Sequence, residues 1–75
     1  MLLHQLEAGE MAVVDAIHTD GVLRSRLRSL GIVEEGSLCI RRFGPFGATL
    51  QVMTESSFVA LRKSEAACIE VNKIV

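Results

Sequence analysis

Few side chains in this sequence could do chemistry: two histidines (His4, His18), two cysteines (Cys39, Cys68), and arginines gathered at Arg24, Arg26, Arg28, Arg41 and Arg42. A structural or catalytic zinc site draws on several donors at short paired spacings, and these four histidines and cysteines are scattered, with no CxxC. Asp15 and Asp20 flank His18 and offer at most a weak, adventitious surface site for a divalent ion. Nucleophilic catalysis needs a nucleophile with a base held beside it, and nothing in the spacing brings a cysteine to a histidine. Glu34 and Glu35 are neighbours in a turn and read as solvated. The "GPFG" stretch, residues 44 to 47, lacks the lysine and following helix of a phosphate loop. A chain of 75 residues also has little volume for a pocket of the usual ligand size. No catalytic residue, no metal ligand and no cofactor is assigned, and an enzyme is not expected.

The arginines leave two readings open: a solvated helix face, or a contact for an acidic protein partner. Arg24 and Arg28 are the candidates for such a contact. Nucleic acid is disfavoured, because the formal charge is −1 where phosphate binding calls for a basic excess, and there is no Trp or Tyr to stack on bases. The stretch "FGPFG" is the more informative surface. It places Phe43 and Phe46 about a turn that Pro45 stiffens. The two rings either fold over an open end of the core or are offered to a partner.

The elements that must carry these residues can be read from periodicity. The composition is 49% hydrophobic but only 4% aromatic, which predicts one compact core of Val, Ile, Leu and Ala. At this size only roughly 60–65% of the unfolded surface is buried, so the stability margin is thin. Residues 1–5 read as a mobile leader to a single domain spanning 1–75. "MAVVDAI" (11–17) is a nearly continuous apolar strand, covered on both faces over part of its length. Thr19 and Asp20 offer N-cap oxygens for a helix over 21–30, in which Leu23, Leu27 and Leu30 line one face.

Gly31 follows the last leucine of that stripe, where a left-handed residue ends a helix at no steric cost, and Ile32 is then placed to touch Leu27. Gly31, Leu27 and Leu30 are therefore the structural residues of the helix stop. "SLCIRRF" (37–43) and "ATLQVMT" (48–54) form a hairpin about "GPFG", with Leu38 and Ile40 inward on one strand and Leu50, Val52 and Thr54 on the other. "FVALR" (58–62) follows with Val59 and Leu61 inward. Ser64 caps one turn over 65–67, and "CIEV" (68–71) completes the sheet. The cysteines read as buried reduced thiols, with a disulfide between neighbouring strands as the alternative. The expected fold is mainly β: a small, strongly bent barrel of about five strands with one short helix after the first, closed so that no strand edge is left free.

The ordered pieces "HQLEAGEMAVV", "RSRLRSLGI", "GPFGATLQV" and "FVALRKSEAACIEV" resemble the FeoA family of ferrous-iron transport proteins from about Leu6 to Val71. The family's pattern falls on Arg26-Leu27, Leu30-Gly31, Pro45-Phe46-Gly47, Leu61-Arg62 and Glu65-Ala66. The sequence departs from it at Glu34-Glu35, where Pro-Gly is usual, at Ala48-Thr49 in place of Asp-Pro, and at Ser56 in place of a glycine. The resemblance implies an SH3-like barrel and a cytoplasmic accessory protein that acts on FeoB, a membrane permease with a GTP-binding domain. It implies a protein-interaction module whose contact residues are sought at Phe43, Pro45, Phe46, Arg24 and Arg28. A metal-sensing module is the alternative function. Neither direct membrane insertion nor nucleic-acid binding is expected, and the sequence does not fix the oligomeric state.

Overall fold

A computed structural model describes residues 1–74. The chain runs β1 (Met11–Ile17), α1 (Gly21–Ser29), β2 (Ser37–Phe43), β3 (Thr49–Thr54), β4 (Phe58–Arg62), α2 (Lys63–Ala66) and β5 (Ile69–Lys73), with short 3-10 turns at Leu3–Gln5 and Pro45–Gly47. The five strands form one antiparallel sheet in the order β4-β3-β2-β1-β5. The protein is mainly β, with one helix longer than a single turn, as the sequence predicts.

Alternation sends Leu38, Ile40, Leu50, Val52, Val59, Leu61, Ile69 and Val71 into one core. Two irregularities in register bend the sheet around it. In β1 the pairing with β5 shifts between Val14 and Ala16, so Asp15 is extruded while Val14 and Ile17 are both buried. In β2 the pairing with β3 shifts between Ile40 and Arg42, which leaves Arg41 as the extra residue and lets Phe43 face Leu50. An extra residue in one strand kinks it and increases the local twist. The first of these bulges explains why "MAVVDAI" shows no clean alternation.

The sheet does not close. β4 and β5 are not hydrogen-bonded to each other, and the one-turn helix α2, with Ala66 buried, spans the gap between them. The outer edge of β5 is covered instead by the start of the chain: the Val71 N–H donates to the Met1 carbonyl at 2.7 Å and Leu2 bridges Glu70. Residues 1–5, read from the sequence as a mobile leader, are thus docked against β5. Leu3 and Leu6 are both buried, because the 3-10 turn sets them on one side over an end of the core. A core this small needs that cover. Two expected caps also differ. Neither Thr19 nor Asp20 caps α1 through its side chain. The α2 turn is closed not by Ser64 but by Glu65, whose Oε1 accepts from the Arg62 N–H at 2.8 Å. Both cysteines are free thiols, half-buried rather than buried.

The helix stop forms as the sequence predicts. The Ile32 N–H donates to the Leu27 carbonyl at 3.0 Å and the Gly31 N–H to that of Arg28 at 3.0 Å, with Gly31 at φ +92°. These are the two bonds of a Schellman closure. It places Leu27 and Ile32 in the core, with Leu23 and Leu30 packed partly against it. Full burial of a side chain such as Leu27 stabilises by about 1.5–3 kcal/mol. A Cβ at Gly31 would also lie 3.1 Å from Thr54 Oγ1 and 3.2 Å from Ser56 Oγ. Gly31→Val is accordingly expected to cost roughly 1–3 kcal/mol in chemical denaturation; a neutral substitution would mean that the helix ends in another way. In the turn that follows, Glu35 occupies the left-handed region at φ +68°. Glu35→Gly should raise stability by about 0.5–1 kcal/mol, the steric relief being partly offset by glycine's extra unfolded-state entropy, and a loss of stability in the same assay would contradict this.

Candidate partner-binding surface

The β2–β3 hairpin is held by its own backbone. The Gly44 N–H donates to the Thr49 carbonyl at 2.8 Å, and the Gly47 N–H returns to Gly44 at 3.0 Å. A Cβ at Gly44 would collide with Thr49 Oγ1, so any larger residue beneath the tip requires the Thr49 side chain to move. Pro45 then leads into Phe46 at φ +59°, ψ +18°. After a turn-initiating proline this is the position where glycine or asparagine is the usual residue. A phenylalanine there is sterically strained, and it gains nothing from burial, since Phe46 is 106% exposed. The two rings of the tip have therefore separated. Phe43 packs against the core opposite Leu50, while Phe46 and Pro45 face solvent.

The helix arginines are used unequally. Arg24 Nη1 donates to the Ile17 carbonyl at 3.0 Å and to that of Thr19 at 3.4 Å, while Nη2 reaches Glu34 Oε2 at 2.8 Å. One guanidinium thus ties together the end of β1, the entry to α1 and the turn after it. Such a fork is what arginine offers and lysine does not. Arg26 pairs with Glu65 of α2. Arg28 is exposed and makes no ion pair among the described residues. Arg24 and Arg28 line one shallow depression with Gly21 and Ser25, and no hairpin residue lines it. The five candidate residues therefore form two separate groups.

His18 at the end of β1 hydrogen-bonds Glu70 of β5, with Nε2 and Oε1 2.7 Å apart. The Nδ1 of His4 is buried without a hydrogen-bond partner. Among the described residues no three His, Cys, Asp or Glu side chains converge in a metal-binding group.

Three carboxyls sit below their ordinary value of 4.5: Glu34 through the hydrogen bond from Arg24, Glu70 through that from His18, and Glu10 through that from Lys73. A carboxyl depressed in the folded state contributes stability above its unfolded value, and that contribution is lost as pH falls through the folded one. The contacts are exposed, so the effect is modest and weakened by salt. In an NMR titration of the side-chain carboxyls, Glu34 should show a midpoint below 4.5 that rises toward it in Arg24→Gln. An unmoved midpoint would show that the Arg24–Glu34 contact does not form in solution.

The fold and the motif order find direct counterparts among known proteins. The FeoA domain profile matches residues 1–73. The chain is 34% identical over 74 residues to a Campylobacter jejuni protein named Fe(2+) transport protein A, which covers 99% of this chain and 100% of that one. The solution structure of FeoA from Chlorobium tepidum superposes with a TM-score of 0.93 at 32% identity, covering 100% of this chain and 71% of that one. The zinc-complexed FeoA of Stenotrophomonas maltophilia, described as a prokaryotic SH3 domain protein, superposes with a TM-score of 0.81 at 33% identity over 96% of this chain and 89% of that one. With the sheet order, the helix stop and the hairpin in place, the chain belongs to the FeoA family of ferrous-iron transport proteins and has its SH3-like fold.

Proposed function

We propose that this protein is a non-enzymatic cytoplasmic interaction module that supports ferrous-iron uptake by binding the GTP-binding domain of a FeoB-type permease through its β2–β3 hairpin tip. The observation that carries the reading is Phe46. A fully exposed phenylalanine in the left-handed region costs the free protein backbone strain, and no burial of its ring offsets that cost. Strain of this kind is retained where a function uses it. Pro45 before it limits the conformations the tip can take, so less ordering entropy is lost when the ring enters a partner's pocket. Arg28, exposed beside the depression it shares with Arg24, is the second contact. Arg24 contributes mainly by holding the helix in place. No helix among the described residues is long and apolar enough to cross a membrane, in keeping with an accessory that meets the permease from the aqueous side.

A metal-sensing module has one point in its favour, the zinc-complexed relative from Stenotrophomonas. Among the described residues no His/Cys/Asp/Glu group exists to hold such an ion, and the interaction reading accounts for more of the surface.

Phe46→Gly separates the two roles of the residue, because its effects on folding and on binding should have opposite signs. Glycine adopts positive φ freely, so stability in denaturant should rise by about 0.5–1 kcal/mol. Affinity for the soluble GTP-binding domain, read by calorimetry, should fall by about 2 kcal/mol or more, the loss typical of a central aromatic anchor. A contact led by the hairpin should also change little with salt, whereas one led by the arginines would weaken as the screening length contracts. Unchanged affinity in Phe46→Gly would remove the hairpin from the interface.

A further inference from the structure

The outer face of the sheet carries an apolar row that register, not sequence proximity, assembles. Phe58 of β4 lies opposite Met53 of β3, Met53 opposite Cys39 of β2, and Cys39 opposite Met11 of β1. The Ile74 N–H bonds the Met11 carbonyl at 2.9 Å and continues the row beyond β1. Met11, Met53 and Phe58 are 49%, 40% and 53% exposed, and Cys39 is half-buried between its two neighbours. Three consecutive members of the row carry sulfur.

Directly opposed side chains on one sheet face have Cβ atoms about 4.5–5.5 Å apart. Two flexible thioethers therefore flank one thiol at a spacing that methionine's rotatable bonds can close. All three residues open on the same cleft, which Ser37 and Glu55 also line. The Glu55 carboxylate accepts from Ser37 Oγ at 3.0 Å, which sets a negative charge on the rim. The Cys39 thiol makes only a weak 3.6 Å contact to the Ile40 carbonyl, so little holds it in its present orientation.

We propose that Met11, Cys39 and Met53 form a binding site for a soft monovalent metal ion, cuprous copper, held by one thiolate and two thioethers. Binding replaces the thiol proton of Cys39, which passes to solvent, and no electron is transferred. The resulting centre is neutral, as suits an apolar surface. Thioether and thiolate ligands select Cu(I), whereas ferrous iron is better served by imidazole and oxygen donors. The site thus distinguishes the two metals, and it lies on residues different from those of the hairpin tip.

The test is an anaerobic titration of the full chain with Cu(I) against a chromophoric competitor, in a Cys68→Ser background where Cys39 is the remaining thiol. X-ray absorption at the copper edge then reads the ligand atoms. The expected result is one ion per chain in an all-sulfur shell. Met11→Leu and Met53→Leu keep side-chain volume and should leave the unfolding midpoint unchanged. Each should weaken binding by at least roughly 10–100-fold, the loss seen even for second-shell partners of a metal. Parent affinity in the double variant Met11→Leu/Met53→Leu would overturn the proposal, as would nitrogen ligands in the absorption spectrum. Half an ion per chain with dimer formation would overturn it too, since that indicates copper bridging two Cys39 thiolates.

Discussion

Five residues after Leu27 the chain bonds back to it, and the rest of the molecule is arranged around that bond. Because Gly31 turns left-handed, the Ile32 N–H reaches the Leu27 carbonyl and both side chains enter the core. The same junction receives the β3–β4 turn, where Ser57 Oγ donates to the Leu30 carbonyl at 2.8 Å and so satisfies a helix-end acceptor. Thr54, the one buried polar side chain among the described residues, accepts from the Ser57 N–H at 3.0 Å and holds that turn in place. Helix end and turn after β3 are therefore one hydrogen-bonded unit. A nine-residue helix that would be marginal in water is held by it.

With the core so fixed, the exposed loops can hold residues that do not favour folding. Non-glycine residues adopt positive φ at Glu35 and Phe46 alone among those described. At Glu35 the side chain is a solvated carboxylate in a turn, and its conformation is a local departure from the family's Pro-Gly. Phe46 differs because the strain coincides with full exposure of a large apolar ring. A small domain has only a few kcal/mol of net stability, so each such position is a measurable fraction of the total. That contrast is the physical basis for placing the partner contact at the hairpin and not in the turn after α1.

What could be read from the sequence was whatever is set by nearby residues. The inward sets of β2, β3 and β4, the leucine stripe of α1 and the glycine stop after it follow from periods of two and 3.6 and from one residue's freedom at φ. Features that depend on a distant partner were not legible. The bulges at Asp15 and Arg41 exist only relative to the opposing strand, and the Leu3–Leu6 turn is buried only because β5 lies beside it. The hairpin tip was visible as a pair of phenylalanines, but not their separation, which needs the backbone angle at Phe46. The Pro45–Phe46–Gly47 spacing does carry a signal for it, since a turn proline commonly precedes a residue at positive φ. Met11, Cys39 and Met53 are far apart in sequence and meet only through register.

The most direct measurement is an amide NMR titration of the protein with the soluble GTP-binding domain of the proposed permease partner, run anaerobically with and without ferrous iron. Shifts are expected to centre on Gly44 to Ala48, with a smaller set at Arg28 and its neighbours on α1, in both conditions. Shifts confined to α1 with a silent hairpin, or shifts that follow iron alone, would contradict it.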